Sequence, residues 1–354
     1  MPEPTLPVPL PVPLPVHWGL AATAAEKEEV YSFRYRHYFC HLTDAPGVDH
    51  ANGRVHSPHD EESDHLTGRN DAGELVIAAS GTRADVPDLP DEWRSLLQLD
   101  RLAELGLENT IISARLVERE EYRGSAVFTA FFKYSARHFV ERGFAHSIQY
   151  CAPALVPQYE RVGYRVYGNG RALSSGLFRV PMILAGADAA YLGRANPLFK
   201  RAVRGLEPAG DIRETLRVLP ELTQDPLCIL DDTARLDLVR GFLRAAPGGS
   251  DLPDHAARAL KRGSLLRPRE NDSLIHPNDT PLFWLLLEGN YTIGLPDGET
   301  RPASAGMLIN GRACASLTAV TGGALVVFAP CRDAAYGRDL PAVLPPSFWQ
   351  ELDS

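Results

Sequence analysis

Apolar positions along the chain change period several times, and each change marks an element. In AATAAEKEEVYSFRYRHYFCH (Ala21–His41), Val30, Phe33, Tyr38 and Cys40 are spaced with charges between them, which predicts an amphipathic helix rich in aromatics. From there to about Leu66 the chain is polar, broken by Pro and Gly, and reads as loop. ELVIAASGTRA (Glu74–Ala84) and NTIISARLVE (Asn109–Glu118) are short apolar runs that predict strands, with helical spacing in PDEWRSLLQLDRLAELGL between them. AVFTAFFKYSARHFVERGF (Ala126–Phe144) predicts one continuous helix with a stop at Gly143. HSIQYCA (His146–Ala152) predicts a strand, and ALVPQYERVGYRVYG (Ala154–Gly168) a helix running into a strand. Strands alternating with helices imply an α/β layer.

The second half reads differently. Gly186–Pro220, rich in Arg (Arg194, Arg201, Arg204, Arg213, Arg217), reads as helix and connector, and helical spacing continues through LDLVRGFLRAA to Ala246. PGGSDLP is a turn or linker. Beyond about Gly263, short apolar runs are separated by Pro-Asn-Asp, Pro-Asp-Gly and Gly-Gly turns, the spacing of antiparallel β in a small barrel or jelly roll. PPSFWQEL predicts a last helix. The expected organisation is a proline-rich arm (1–20), an α/β domain (21–185), a helical connector (186–246) and an all-β domain (247–354).

Composition narrows the function classes. The chain has 354 residues, 44% hydrophobic and 23% charged, enough to bury a core. A formal charge of -9 argues against broad nucleic-acid binding, which needs phosphate-neutralising cations. Five cysteines (Cys40, Cys151, Cys228, Cys314, Cys331), with no CxxC pairing, point away from a disulfide scaffold and toward a reducing cytoplasm. No apolar run reaches the roughly 20 residues of a membrane span. The opening PEPTLPVPLPVPLPV, with proline at nearly every second position, cannot form a signal helix and reads as an extended polyproline-like arm.

The stretch richest in chemistry is ISARLVEREEYRGSAVFTAFF: a strand, a turn with Arg123, Gly124 and Ser125, then a helix starting near Ala126. A helix N-terminus leaves backbone N–H groups free, Gly124 permits close approach and Arg123 adds a cation, so the turn suits a phosphate or pyrophosphate. His56, His59 and His65 crowd one loop with Asp60 and Asp64, but without HxH or HExxH spacing, and no metal is expected. No GxSxG supports hydrolase chemistry.

About thirty residues on stands QYERVGY, with Tyr159 four residues before Gly163 and an aromatic at Tyr164. The order strand, phosphate turn, helix, strand and Tyr-x-x-x-Gly-aromatic resembles the Gcn5-related N-acyltransferase (GNAT) superfamily over about Ala21–Arg179. That resemblance implies a mixed sheet flanked by helices. It also implies a donor that is acyl-CoA or the acyl-phosphopantetheine of an acyl carrier protein. YSFRYRHYF, DEESDHL, GTR and ISARLV further resemble the acyl-homoserine-lactone synthases and N-acyl amino acid synthases. On that resemblance Arg34, Asp60, Asp64, Arg83 and Arg115 fall on the family's charged cluster, although Ile111, Ile112 and Ser113 stand where the family usually has a Glu. The implied catalytic set is Glu118, Tyr159 and Arg115. Val117, Arg123, Gly124, Ser125 and Ala126 would hold the donor, and Arg34, Asp60, Asp64 and Arg83 would serve the substrate side. Asp60 and Asp64 remain alternatives to Glu118 as base.

The β-rich tail resembles the cyclic-nucleotide-binding fold, on HPNDTPLFWLLLEGNYTIGLPDGE, GMLINGRACASLTAV and PSFWQEL. Asn310 sits where such binders carry a Glu, which implies a degenerate structural or docking domain, with Arg312 the residue left to meet a phosphate. The expected whole is an α/β (α+β) GNAT-type domain plus an all-β jelly-roll-like domain. It would act as a cytoplasmic N-acyltransferase passing a fatty acyl group to the amine of an amino acid or similar small molecule. Partners are the amine acceptor and an acyl carrier protein, with a homodimer left open. The alternative is a non-catalytic sensor or scaffold on a decayed acyltransferase fold.

Overall fold

The computed structural model describes residues 15–39, 47–123, 125–152, 155–168, 170–173, 178–223, 237, 264–266, 268, 270–271, 273–275, 283–328 and 343–344. Residues 1–14 of the arm, the reading at Gly124, most of the helical stretch to Ala246 and the expected helix PPSFWQEL lie outside these residues. In chain order the elements begin β1 (His17–Leu20), α1 (Ala24–Arg34), β2 (Val48–Asp49), β3 (Arg54–Val55), β4 (Asp64–Arg69) and β5 (Leu75–Arg83). Then come α2 (Asp91–Leu96), α3 (Leu99–Leu102), β6 (Thr110–Glu118), α4 (Val127–Glu141), β7 (His146–Cys151), α5 (Val156–Arg161), β8 (Arg165–Val166), β9 (Arg171–Ala172) and β10 (Phe178–Ala185). Two compact units divide the chain: residues 1–90, 105–148 and 197–211 form one, and 91–104, 149–196 and 212–354 the other.

The first unit is built on a mixed sheet in the order β1-β4-β5-β6-β7, antiparallel up to β6 and parallel between β6 and β7. Two of its strands depart from the sequence reading. His17–Leu20, assigned to the arm, pairs with Leu66–Arg69 as β1. The segment read as loop up to Leu66 ends in β4, whose short, Gly-interrupted DHLTGR lacks a clean apolar alternation.

Helix α1 starts at a capping box. Thr23 Oγ1 accepts the Glu26 N–H at 3.2 Å, and the Glu26 carboxylate accepts the Thr23 and Ala22 N–H groups at 2.9 and 3.0 Å. The helix buries Val30, Tyr31, Phe33 and Arg34, then widens into a π turn over Tyr35–Phe39, and the expected end at His41 lies outside the described residues. Val30 and Phe33 pack with Leu75, Ala78 and Val117 in one buried cluster. Val127 and Phe131 of α4 pack with Leu66, Val76 and Ile77 in another, against which Leu116 and Trp18 lie. The sheet is thus covered by apolar side chains from both helices, the layering an α/β unit needs.

In the second unit, β10 pairs antiparallel with β8 and β9. Helices α6 (Ala189–Ala195), α7 (Pro197–Ala202) and α8 (Ile212–Val218) follow in the chain, α7 belonging to the first unit. Arg165 holds this unit's turns together. It donates to Asp188 at 2.6 Å and to the Leu222 carbonyl at 2.7 Å, with its guanidinium 4.1 Å from the Tyr191 ring centre.

The C-terminal part continues with β11 (Ser264–Leu266), β12 (Ser273–Ile275), β13 (Phe283–Glu288), β14 (Asn290–Gly294) and β15 (Thr300–Ser304), then β16 (Leu308–Asn310), β17 (Ser316–Ala319), β18 (Ala324–Phe328) and β19 (Val343–Leu344). They form two antiparallel sheets, β11-β18-β13-β16-β19 and β12-β17-β14-β15. The described tail is therefore all-β, as the turn spacing indicates. Nothing among its described residues identifies a jelly roll or a cyclic-nucleotide-binding barrel. No helix among the described residues is long and apolar enough to cross a membrane.

Candidate functional site

Strand β6 carries the site's main irregularities. Ala78 faces Val117 and Ser80 faces Ala114, so Arg115 and Leu116 together stand opposite Ala79, a β-bulge. Arg115 has φ +54°, the left-handed region that a side chain rarely enters. The parallel ladder to β7 covers only Thr110–Ile112 against His146–Ile148, and the Ser113 hydroxyl, one residue past the last rung, bonds back to that of Ser147 at 2.8 Å. From Ser113 on, β6 is paired on its β5 side alone among the described residues. An extended chain bearing amides can bond to such an open edge.

A buried charged hub lies on the Arg115 side of β6. The side chains of Arg34 and Asp60 are both 0% exposed, and Arg34 Nη1 donates to Asp60 Oδ1 at 2.9 Å. Arg115 Nη1 donates to Asp60 Oδ2 and Arg115 Nη2 to the Ser57 hydroxyl. The Ser57 N–H also donates to Asp60 Oδ2, at 2.8 Å. Burial pushes the Asp60 pKa up, but Arg115 and Arg34 outweigh it and hold the carboxyl down at about 2. Arg34 Nη2 meets His65 Nδ1 at 2.9 Å, and His65 Nε2 lies 3.0 Å from the Asp60 carbonyl. The loop is tied from below as well: Ser63 Oγ lies 2.7 Å from both the His59 carbonyl and Thr82 Oγ1.

Glu118 ends β6, opposite Ile77. Its Oε1 is buried without a hydrogen-bond partner among the described residues. Burial pushes its pKa up to about 7, against the pull of Arg123. Arg123 itself is exposed. Val117 is buried on the opposite side, in the α1 cluster. At the start of α4, Ser125 Oγ accepts the Val127 N–H at 3.1 Å, and Ala126 stands at the cap position. A helix start of this kind favours an anion through its unsatisfied N–H groups and dipole.

The structure does not gather all the residues that the sequence reading grouped. Asp64 turns away from the hub and bonds His138 Nε2 of α4 at 3.0 Å, with Arg142 at 3.8 Å. Arg83 pairs with Asp85 at 2.9 Å, both near the surface. Tyr159 lies on α5 in the second unit, half-buried, its ring 5.8 Å from that of Tyr164 in an edge contact. Of the three loop histidines, His65 joins the hub, His59 is buried and His56 lies 2.9 Å from Glu61. No group of three or more His, Cys, Asp or Glu is placed to hold a metal among the described residues.

Two hub members escaped the sequence reading, Ser57 and, as an acceptor, His65. His65 stands in DEESDHL beside Asp64, and only its inward position in β4, a strand that was not recognised, would have separated them.

The first unit thus combines a mixed sheet, a bulge in β6 and an early end of the β6–β7 ladder. No protein-family model matches the sequence, and no curated protein matches it. Solved structures do. The chain is similar to BjaI, a CoA-dependent acyl-homoserine lactone synthase, at 14% identity and TM-score 0.41, covering 57% of this chain and 98% of that one. It is also similar to FeeM, an N-acyl amino acid synthase from uncultured soil microbes, at 12% identity and TM-score 0.39, covering 48% and 91%. A third is the ribosomal-protein-S18-alanine N-acetyltransferase from Escherichia coli, at 11% identity and TM-score 0.33, covering 48% and 93%.

Proposed function

We propose that the protein is a GNAT-type N-acyltransferase that moves an acyl group, fatty rather than acetyl, from acyl-CoA or an acyl carrier protein to the amine of an amino acid or similar small molecule. The observation that carries this reading is the open edge of β6 beyond Ile112, which leads directly to the turn and first residues of α4. An extended pantetheine arm presents amides to such an edge and a phosphate to such a turn. Val117, Arg123, Gly124, Ser125 and Ala126 are the residues proposed to hold it.

The chemistry assigned to the chain is brief. The Glu118 carboxylate takes a proton from the acceptor's ammonium, and the freed amine attacks the thioester carbonyl. Backbone N–H groups near Val117 and Glu118 stabilise the oxyanion. The intermediate collapses to an amide and a thiol: the C–S bond breaks, the thiolate takes a proton from Tyr159, and the nitrogen's remaining excess proton returns to the Tyr159 phenolate. An unpaired, half-buried carboxyl with a near-neutral pKa suits the first step. The buried Arg34–Asp60 pair orders the acceptor side. Asp64 and Arg83, bonded elsewhere, are assigned to the outer rim of that side.

For the tail the proposal is a degenerate cyclic-nucleotide-binding-like domain that serves stability, docking or dimerisation. A single 3-10 turn over Gly311–Ala313 follows the buried Asn310, where nucleotide binders carry a longer helix with a Glu.

Thiol release from acyl-CoA and from acyl carrier protein, measured across a panel of amines, tests the main reading. Turnover that falls on the order of 100-fold or more in Glu118→Gln is expected, with a separate loss in Tyr159→Phe. No thiol release with any donor, or full turnover in both variants, overturns it.

A further inference from the structure

Charge balance does not account for Arg115. Asp60 is already paired with Arg34, so a second guanidinium leaves the buried group with an excess positive charge. What Arg115 does have is a backbone in the left-handed region, inside a strand, at the first residue of a bulge. That position is ordinarily glycine, which enters the region without a Cβ penalty. Among the described residues only Gln98 and Asn271 share a positive φ without being glycine, and neither lies in a strand.

The side chain, 9% exposed, runs to two anchors that are themselves fixed. Asp60 is tied to α1 through Arg34, and Ser57 is tied to Asp60 through its own N–H. The guanidinium therefore links helix, loop and bulge in one chain of bonds. We infer that Arg115 is a positioning residue for the acyl donor: its bonds to Asp60 and Ser57 hold its own backbone in the bulge, and the bulge sets the direction of the open edge of β6. This rests on the acyl-transfer reading above. It departs from a direct contact between the guanidinium and the acceptor.

Glycine at 115 separates the two roles, because glycine keeps the backbone conformation and loses every side-chain contact. In the full-length protein, Arg115→Ala should raise the donor KM about tenfold or more and leave the acceptor KM in place. Arg115→Gly should return the donor KM most of the way to the wild-type value. Arg115→Asn, a residue tolerant of the left-handed region, serves as the second variant if glycine fails to fold. Without any donor present, Arg115→Gly should melt above Arg115→Ala, the reverse of the usual order in a strand.

A glycine variant as impaired as the alanine one, or an acceptor KM that moves in place of the donor's, overturns the inference while acyl transfer stands. A wild-type protein that turns over no pantetheine donor removes both. In that case the melting order still reports whether the arginine holds the bulge.

Discussion

Arg34 and His65 are bonded nitrogen to nitrogen, at 2.9 Å, and this fixes the state of the histidine. A guanidinium can only donate, so Nδ1 of His65 accepts, and its proton sits on Nε2, which donates to the Asp60 carbonyl. The imidazole is neutral in the folded protein, and burial with the adjacent Arg34 holds its pKa down at about 4.

Stability should therefore rise with pH across the window from about 4 to about 6.5. In that range the unfolded chain binds a proton at His65 that the native state refuses, so the contribution is lost as pH falls. Burial lowers His59 and His146 to about 4 as well, adding the same sign. Glu118, raised to about 7, works in the other direction between about 4.5 and 7, but it is one group against three. Urea midpoints measured across this window check the sum. A midpoint that stays level or falls as the solution becomes less acid contradicts the neutral hub.

The two aspartates of the loop, four residues apart, should respond very differently to loss of charge. Asp60→Asn leaves two buried guanidinium groups without a counter-ion and should destabilise by about 3–5 kcal/mol. Asp64→Asn breaks a partly exposed pair with His138 and should stay within about 1 kcal/mol. Equal losses in chemical denaturation would mean that the hub is more open to water than its packing indicates.

Gly68 of β4 makes room for an indole. A Cβ there would come within 2.5 Å of the Trp18 ring, 2.7 Å of Ile77 and 2.9 Å of Val16. Trp18 in turn lies 5.8 Å from Phe131 and 5.9 Å from Tyr134 of α4, centre to centre. Gly68→Ala should cost about 1–3 kcal/mol by overpacking, with a shift in tryptophan fluorescence. A variant as stable as wild type would show that β1 can move outward freely.

The raised pKa of Glu118 sets a pH profile for the proposed reaction. As a base it must be ionised, so the rate under subsaturating acceptor should climb with pH and level off above about 7. Glu118→Gln should remove that limb together with most of the rate. A limb that persists unchanged in the variant assigns the titration to another group.

Much of the first unit was legible in the sequence. The runs at Leu75–Arg83 and Thr110–Glu118 are apolar enough to declare themselves, and α4 is framed by the Arg-Gly-Ser turn and Gly143. β1 and β4 were not, because four residues beside a proline run and a strand carrying Asp, His, Thr and Gly lack the alternation that marks a half-buried strand. The charged residues were recognised as a set, but their sorting was not. A 3-10 turn at Pro58–Asp60 turns Asp60 inward, and the first residue of β4 directs Asp64 toward α4. The bulge left no mark either, since its usual glycine is an arginine here.

That bulge has a consequence for reading β6 itself. With one extra residue, strict alternation breaks: Arg115 and Leu116 share the place opposite Ala79, and everything after them is out of step with what comes before. Val117 meets the α1 cluster and Leu116 the α4 cluster only because of that offset. Deleting either Arg115 or Leu116 would restore one-to-one pairing with β5 and leave Val117 opposite Ala78 and Glu118 opposite Ile77, whereas flattening the bulge with every residue kept would turn Val117 and Glu118 to each other's sides and bury the carboxylate where valine now packs.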